Sequence, residues 1–476
     1  MKVKMILPAL TEATSPYWRP IKYSLFPPLG LATLAAYLAL DDEVELQDEH
    51  VAALVTDDRP DLVVIEVYVT SAYRAYALAD LYRARGSFVC LGGLHVTSLP
   101  AEAAAHADAL FLGPGEDTWP AFLADYRRGV PKKIYRSRQR TLIGAPLPRR
   151  DLLKRWLYLV PNSIVVSRGC PHGCDFCYKT AFFKDGRSFY TQAVDQALAE
   201  IESLPGRHLY FLDDNLFGDP AFASQLFDGM RGMGRLWQAA GTVQAVLTPA
   251  LIRKAADCGL RSLFVGFETL DPDNLRAQRK TQNLDRDYAA AIRSLHDLGV
   301  MVNASFIFGM DEDDPGVFGR TVDWAVRRGI ETATFHILTP YPGTPLFDRL
   351  ARAGRISTKN WDLYDTRHAV FLPARMSPQV LEEGYWQAYR DFYSWPNILL
   401  STLRQGDPLK AVRHFAFKTA WKKFEPFWDL VIHLKRVSAF TPLLEMLLSG
   451  KRTPGTWRLD GPQAEAVLPA LPDLPH

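Results

Sequence analysis

Short apolar runs alternate with helical patterns along two long stretches of this chain. In the first stretch, residues 1–130, the pattern predicts helices at 29–40, 73–85 and 119–128, and strands at 3–7, 44–47, 62–67, 88–91 and 109–112. Parallel strands need crossover connections, and helices in those connections cover both faces of the sheet. We therefore expect an α/β domain with a doubly wound parallel sheet, whose ligands bind beyond the carboxyl ends of the strands.

The alternation resumes in a second stretch, residues 161–345, after a proline-containing connector at 131–160. Strands are expected at 163–168, 208–213, 242–247, 262–267, 301–308 and 332–338. Six βα units make an open (β/α)6 barrel, with its chemistry at the C-terminal face. Residues 346–450 are helical and rich in aromatics, which predicts a helical cap over the barrel mouth, and residues 451–476 predict a loosely packed tail.

Composition narrows the classes of function. A net charge of +2 argues neither for nor against a nucleic-acid partner, but no long basic run supports one, so none is expected. The first apolar run is broken by Pro8, too early for a signal peptide, and no apolar stretch approaches the length of a membrane span. Five cysteines suit a reducing compartment, so a cytoplasmic protein is expected. Aromatics interleaved with lysines near the C-terminus leave contact with a membrane surface as an alternative.

Three of the five cysteines lie in one short loop, at Cys170, Cys174 and Cys177. An iron–sulfur cluster normally takes four thiolates, so three leave one iron free to bind a small molecule. A zinc site is the alternative, and it would need a fourth cysteine or a histidine such as His172. The apolar run 162–167 is predicted to deliver the loop at the end of a buried strand. Cys90 and Cys258 are predicted to be core residues.

The cysteine spacing, with Phe176 before the last cysteine, resembles the radical S-adenosylmethionine (SAM) superfamily. The resemblance implies that the three cysteines hold a [4Fe–4S] cluster whose open iron binds the amino and carboxylate groups of SAM. An electron from the cluster then cleaves the sulfonium and yields a 5′-deoxyadenosyl radical. A flavodoxin- or ferredoxin-type protein is the implied electron donor.

Residues at the ends of the barrel strands are candidates for binding SAM. Carboxylates of Asp213 and Asp214 could hold the α-amino group, although an Asx turn would explain them too. The resemblance assigns Glu268 to the ribose or amino-acid part and Gly309 to the adenine. Arg187 matches an arginine–serine pair of the family, with surface solvation as its alternative.

The first domain resembles the cobalamin-binding domain of one radical SAM group, which includes hopanoid and bacteriochlorophyll methylases and antibiotic-tailoring enzymes. The likeness is carried by the segments 22–30, 48–51, 83–86, 91–98, 113–120, 148–151 and 361–371. It implies that His50 is a candidate cobalt ligand, although other methylases of this group bind cobalamin without one. Gly92 and Gly93 would admit the nucleotide tail of cobalamin close to the backbone, with simple loop packing as their alternative. One departure is that Ala53 stands where many of these domains have glycine. A retained scaffold without cobalamin is the alternative, as in the apramycin-pathway diol dehydratase.

The expected reaction is hydrogen abstraction from an unactivated carbon of a small natural-product substrate, followed by cobalamin-dependent C-methylation that uses two SAM molecules. A cobalamin-independent dehydration, epimerisation or rearrangement of a hydroxylated, aminoglycoside-like substrate is the alternative. His336 or Tyr341, near the last barrel strand, would then supply an acid or base. A third hypothesis is a non-catalytic carrier of the cluster or of cobalamin, which would lack a SAM pocket.

Overall fold

A computed structural model describes residues 1–10, 25–404 and 408–422 of the chain. The predicted tail at 451–476 and the part of the predicted helical cap from residue 423 onward lie outside the described residues.

The first sheet is parallel and has the strand order β2-β1-β3-β4-β5-β6. Its strands are β1 (Lys2–Leu7), β2 (Glu43–Asp48), β3 (Leu62–Glu66), β4 (Phe88–Gly92), β5 (Ala109–Leu112) and β6 (Ile134–Arg136). The accompanying helices are α1 (Leu29–Ala35), α2 (Ala72–Ala84), α3 (Leu94–Ser98), α4 (Pro100–Ala103) and α5 (Trp119–Arg127). The five predicted strands are confirmed to within two residues, and β6, from the predicted connector, adds a sixth beside β5.

Each face of this sheet buries its own apolar core. Val63 and Ile65 of β3 pack with α2 on one face, whereas Leu62 and Val64 pack with α1 and α5 on the other. Successive residues of a strand point to opposite faces, so a strand buried on both sides is apolar throughout. This packing confirms the doubly wound domain that the sequence predicts.

The second sheet contains six parallel strands in the order β14-β13-β12-β11-β10-β7. The strands of this part of the chain are β7 (Ser163–Ile164), β8 (Ser167–Gly169), β9 (Phe189–Thr191), β10 (His208–Phe211), β11 (Leu236–Gly241), β12 (Leu260–Glu268), β13 (Met301–Phe308) and β14 (Thr332–Ile337). Strands β8 and β9 form a separate two-stranded antiparallel ribbon. The helices of this part are α6 (Lys179–Phe182), α7 (Val194–Ser203), α8 (Pro220–Met230), α9 (Val243–Val246), α10 (Pro249–Asp257), α11 (Pro272–Ala277), α12 (Tyr288–Asp297), α13 (Val317–Arg327) and α14 (Pro345–Arg352). The sheet confirms the open six-stranded barrel.

Two predicted strand positions are wrong. The predicted strand at 242–247 is helix α9, which Thr242 caps by accepting a hydrogen bond from the backbone N–H of Ala245 at 3.2 Å. The barrel strand lies just before it, in the alanine-rich run 236–241, because pairing with β10 and β12 overrides weak local propensity. The predicted strand at 163–168 splits into β7, in the barrel, and β8, which leaves the barrel to pair with β9.

The C-terminal helices are α15 (Pro378–Phe392), α16 (Trp395–Leu403) and α17 (Pro408–Lys422). Helix α15 packs against α13 and the edge strand β14, on the open side of the barrel. The Tyr393 hydroxyl bonds the backbone N–H and C=O of Ala333 at 3.1 and 3.0 Å, and Tyr389 bonds those of Phe335 at 3.1 and 3.3 Å. Since an edge strand exposes unpaired backbone groups, the two tyrosines satisfy the open side of the barrel.

A short segment after the barrel returns to the first sheet. The Trp361 indole N–H donates to Glu102 Oε2 at 3.2 Å, and Glu102 Oε1 lies 2.9 Å from His95 Nε2. The Trp361 and His95 rings meet edge to face at 5.5 Å. These contacts explain why the segments 91–98 and 361–371 carry the family likeness together. Among the described helices, none has the length and apolar composition needed to cross a membrane.

Candidate active site at the cysteine loop

The cysteine loop starts at the end of β8 and is held by backbone hydrogen bonds. The N–H of Cys170 donates to the Ser188 carbonyl at 3.0 Å, and the N–H of Asp175 donates to the Gln278 carbonyl at 3.0 Å. Gly169, just before the first cysteine, has φ +82°, and a Cβ there would lie 1.9 Å from the Ser188 oxygen. Glycine is therefore required for the close approach that opens the loop.

Asp213 and Asp214, the predicted ligands of the SAM amino group, are engaged by the protein. Asp213 is buried and accepts hydrogen bonds from the backbone N–H and the hydroxyl of Ser167 in β8. Asp214 accepts from the N–H of Gly169 at 3.0 Å and from the Tyr178 hydroxyl at 2.9 Å. Burial raises the pKa of Asp213 to about 7. In this structure the pair anchors the start of the cysteine loop, and its expected role in holding the SAM amino group stays a prediction.

Each of the three cysteines receives one side-chain N–H contact. Asn215 Nδ2 lies 3.7 Å from Cys170 Sγ, Gln282 Nε2 lies 3.3 Å from Cys174 Sγ, and Lys179 Nζ lies 3.9 Å from Cys177 Sγ. Sequence reasoning missed these three donors. Within the described parts of the chain, no group of three or more histidine, cysteine, aspartate or glutamate side chains converges on a single-ion site.

Glu268 lies at the end of β12 beside a buried cation. Its Oε1 is 2.6 Å from Lys280 Nζ, and Ser305 donates to Oε2 at 3.4 Å. Glu268 has φ +65°, a conformation that is strained for a residue with a side chain. Lys280 also lies 5.9 Å from the centre of the Phe176 ring in the cysteine loop. The structure thus brings Glu268 and Phe176 together, and adds Lys280, which the sequence did not single out.

Two further predicted SAM-binding residues, Arg187 and Gly309, lie on the surface and in a turn, respectively. The Arg187 side chain is exposed, and its carbonyl accepts from Arg140 at 3.0 Å. Gly309 has φ +97° and packs against Leu381, and Asp313 accepts from its N–H at 2.9 Å. The side chain of Arg187 is therefore in contact with solvent in this structure. Gly309 forms a turn whose N–H is already bonded within the protein.

A buried guanidinium supports the far side of the cysteine loop. Arg140, from the predicted connector, donates to the carbonyls of Phe183 and Lys184 at 2.6 and 2.8 Å, in addition to that of Arg187. These carbonyls follow α6, where helix-end acceptors lack intrahelical partners. Burial lowers the pKa of Arg140. Nothing in the local sequence marks Arg140, because the three carbonyls that it bonds after α6 are more than 40 residues away.

Of the two predicted acid–base candidates, His336 lies in β14 and Tyr341 follows the strand. His336 Nδ1 is 3.2 Å from the Thr366 hydroxyl, and the Thr366 carbonyl accepts from the N–H of Ile337 at 2.7 Å. Burial raises the pKa of Tyr341 well above its usual range, and nearby Asp365 and Cys177 raise it further. Tyr341 therefore remains a protonated phenol on the Cys177 side of this region.

A cavity joins the first sheet to the cysteine loop. It measures about 690 Å³ including its open mouth, and Gly30, Gly92, Gly93, Gly113 and Gly115 lie in its wall. Arg168 and Phe182, which flank the cysteine loop, line the same cavity. Arg168 donates to Glu116 Oε1 at 2.7 Å across the junction of the two sheets. Burial raises the pKa of Glu66 in the cavity wall.

His50 lies outside this cavity wall. It is buried at the end of β2, where its Nδ1 is 2.9 Å from Asp48 Oδ1. Asp48 Oδ2 also accepts from the Tyr158 hydroxyl at 2.9 Å. The structure therefore brings Gly92 and Gly93 to the cavity but does not bring His50 to it.

Comparisons with known proteins agree with this architecture. The radical SAM superfamily profile matches residues 164–325, and the B12 binding domain profile matches residues 23–123. The chain is similar to the bacteriochlorophyllide d C-12(1)-methyltransferase of Chlorobaculum tepidum, at 30% identity over 81% of this chain and 86% of that relative. It is similar to the hopanoid C-2 methylase of Rhodopseudomonas palustris at 28% identity over 70% of this chain and 66% of that relative.

Two solved structures share the fold. OxsB, a cobalamin-dependent S-adenosylmethionine radical enzyme, aligns with a TM-score of 0.65 and 15% identity, over 94% of this chain and 75% of OxsB. TsrM from Kitasatospora setae, a radical SAM methyltransferase, aligns with a TM-score of 0.63 and 14% identity, over 92% of this chain and 99% of TsrM. Both resemblances drawn from the motifs are confirmed: the chain belongs to the radical SAM superfamily, in the methyltransferase group whose barrel follows a B12-binding domain.

Proposed function

We propose that this protein is a cobalamin-dependent radical SAM methyltransferase that methylates an unactivated carbon of a small molecule. The observation that carries the proposal is the shared cavity. Its wall combines the glycines at the C-terminal edge of the first sheet with Arg168 and Phe182 beside the cysteine loop. A methyl carrier bound at that edge and a radical generated at the loop would therefore face one space.

The residues at the loop fit a [4Fe–4S] cluster. Cys170, Cys174 and Cys177 are unpaired thiols on one loop, and each sulfur has an N–H donor within 3.9 Å. Such donors suit cluster thiolates, which accept hydrogen bonds through sulfur. Bound there, the cluster would supply the electron that cleaves SAM. The chain's own part is to fix the loop, through Asp213 and Arg140.

The cavity wall fits the nucleotide tail of cobalamin. Gly93 lies in this wall with φ +110°, and because a Cβ there would come within 2.9 Å of the Val67 carbonyl, the position requires glycine. Glycine allows a ligand to approach the backbone closely. Bound cobalamin would supply the methyl group. His50 is not among the residues of this wall, and we propose that it orders the end of β2 through Asp48.

The buried pair of Glu268 and Lys280 is proposed to receive the amino-acid part of SAM. The carboxylate and the ammonium are 2.6 Å apart, and Lys280 lies against Phe176 of the cysteine loop. A zwitterion could exchange partners with such a pair, since Lys280 would hold its carboxylate and Glu268 its ammonium. Asp213 and Asp214 are proposed to position the cysteine loop through their hydrogen bonds to β8.

The substrate is proposed to bind between the cysteine loop and the segment 361–371. Tyr341 lies in this region, close enough to Cys177 and Asp365 for both to raise its pKa. A phenol held in its protonated form can donate a hydrogen bond to a polar group of the substrate and orient the carbon to be attacked. His336 is half-buried on the same side, next to Thr366.

A flavodoxin- or ferredoxin-type protein is proposed to donate the electron at the loop after α6. Lys184 and Arg187 are exposed there, and the neighbouring Ser188 carbonyl is hydrogen-bonded to the N–H of Cys170. Positive charge steers an acidic protein to this surface. Reversing both charges to Glu should slow reduction by a flavodoxin and leave reduction by dithionite unchanged. Equal rates with flavodoxin would refute this docking site.

The proposed function is tested by anaerobic reconstitution with iron, sulfide and hydroxocobalamin, followed by addition of SAM and titanium citrate. Gly30→Leu places a side chain in the cavity at a position of α1 where the nearest atom to a new Cβ is 3.7 Å away. The matched control is Gly319→Leu, at an exposed position of α13 where a new Cβ meets nothing within 4 Å.

The wild-type protein and the control should retain cobalamin and form S-adenosylhomocysteine as well as 5′-deoxyadenosine. Gly30→Leu should lose cobalamin and S-adenosylhomocysteine but keep the cluster and 5′-deoxyadenosine. A wild-type protein that forms 5′-deoxyadenosine without retaining cobalamin would refute methyl transfer and favour a cobalamin-independent dehydration or rearrangement. A wild-type protein that binds no cluster would refute radical chemistry altogether.

A further inference from the structure

Three side chains from separate elements converge on the three cysteine sulfurs. Asn215 follows β10, Gln282 lies in the turn between α11 and α12, and Lys179 is the first residue of α6. Each offers an N–H to a different sulfur, at 3.7, 3.3 and 3.9 Å respectively. The arrangement therefore provides one donor for every protein ligand of the proposed cluster.

The side chains of the two amides, Asn215 and Gln282, make no described hydrogen bond other than these contacts with sulfur. Asn215 and Gln282 are 3% and 5% exposed, and their Oδ1 and Oε1 atoms are buried without a donor among the described residues. Gln282 is fixed through its neighbour Asn283, whose Nδ2 donates to the carbonyls of Gly266 and Phe267 at 2.9 and 3.1 Å. A buried amide with one unsatisfied oxygen costs stability, so its retention points to a role at the sulfur.

Lys179 adds a full positive charge to this set. Its Nζ lies 3.2 Å from Asp214 Oδ1 and 5.0 Å from the centre of the Tyr178 ring. These contacts direct the ammonium toward the cysteine loop, and Asp214 offsets part of its charge. Lys280 is a different case, because it is paired with Glu268 at 2.6 Å and makes no N–H contact to a cysteine sulfur.

We propose that Asn215, Gln282 and Lys179 are positioning residues that set the reduction potential of the cluster, a step that rests on the proposed function. The step is the uptake of one electron from the donor protein by the oxidised cluster, with no bond formed or broken. The reduced cluster carries one more negative charge, which N–H donors and an ammonium stabilise, so they raise the potential. Low local dielectric strengthens the contact at Cys174, which is buried, more than the contacts at Cys170 and Cys177, which are half-buried.

The three variants Asn215→Leu, Gln282→Leu and Lys179→Met remove one donor each. The amide deletions leave no other described polar group without its partner, because the amide oxygens accept nothing there. Lys179→Arg keeps the charge and donors and serves as the rescue variant. Gln192→Leu is the matched control, because Gln192 is a buried amide that donates to the Val165 carbonyl at 3.2 Å and contacts no cysteine sulfur.

The measurements are the midpoint potential, from a redox titration followed by electron paramagnetic resonance, and the iron and sulfide content of each reconstituted protein. Each of the three variants should keep its cluster and titrate at a more negative potential than the wild type. Gln192→Leu should titrate with the wild type, and Lys179→Arg should recover most of the shift of Lys179→Met.

Unchanged potentials in all three variants would overturn the proposal and leave the proposed function intact. Cluster loss without a shift of the remaining signal would also overturn it, because the residues would then be purely structural. A wild-type protein without any cluster would overturn both. Neither the potential nor the iron content needs substrate or cobalamin, so the result does not depend on methyl transfer.

Discussion

Replacing Gly169 with alanine should prevent the cysteine loop from holding its cluster. Gly169 immediately precedes Cys170, and its φ of +82° is a conformation that disfavours any residue with a Cβ. The new Cβ would lie 1.9 Å from the Ser188 carbonyl oxygen and 3.0 Å from its carbon. Because that carbonyl belongs to the backbone, no side-chain rotation can relieve the clash.

Two terms set the size of the effect. The left-handed conformation costs alanine about 1 kcal/mol. Relieving the clash moves the Ser188 carbonyl away from the Cys170 N–H, to which it bonds at 3.0 Å, and an unmade backbone hydrogen bond costs about 2 kcal/mol. Together they disfavour the native loop by about 3 kcal/mol, which corresponds to roughly a hundredfold fall in its population.

The assay is the iron content and visible absorption of the anaerobically reconstituted protein, compared with the Gly173→Ala variant. Gly173 lies in the same loop, but a Cβ there meets nothing within 4 Å. Gly169→Ala should hold little cluster, and Gly173→Ala should hold as much as the wild type. Equal retention by both variants, or equal loss, would refute the view that the β8–β9 contact sets the loop geometry.

Two further predictions concern stability. Tyr393→Phe should lower the free energy of unfolding, measured by urea denaturation, by about 2 kcal/mol, because it removes the partner of the N–H and C=O of Ala333. The control is Tyr73→Phe, which loses one exposed hydrogen bond to the Lys359 carbonyl and should change the free energy of unfolding little. Equal effects of the two variants would contradict the role of Tyr393 at the barrel edge. Burial lowers the pKa of His208 to about 4, so the native state binds fewer protons than the unfolded state between pH 4 and about 6.5 and loses stability as the pH falls. Between pH 7 and pH 5, the free energy of unfolding of His208→Gln should therefore fall by about 2 kcal/mol less than that of the wild type. The same pH dependence in both proteins would refute the lowered pKa of His208.

Some of the candidate site could be predicted because its signals are local. The three cysteines lie within eight residues, so their spacing alone places them on one loop. Gly92 and Gly93 follow a clear apolar strand and lie in the cavity wall. His50 has a similar local signal, but the structure places it outside that wall, bonded to Asp48. A local motif thus predicts which residues are near each other in the chain, and not which cavity they face.

What the sequence determined by itself is the alternation of strands and helices, the two parallel sheets and the loop that carries the cysteines. These follow from apolar periodicity and from spacing, which act over a few residues. The tertiary structure alone decided which amides reach the sulfurs. Gln282 reaches Cys174 across 108 positions of the chain, and Asn215 reaches Cys170 across 45. No local pattern encodes such contacts, because they exist only after the parallel strands bring their carboxyl ends together at one face of the barrel.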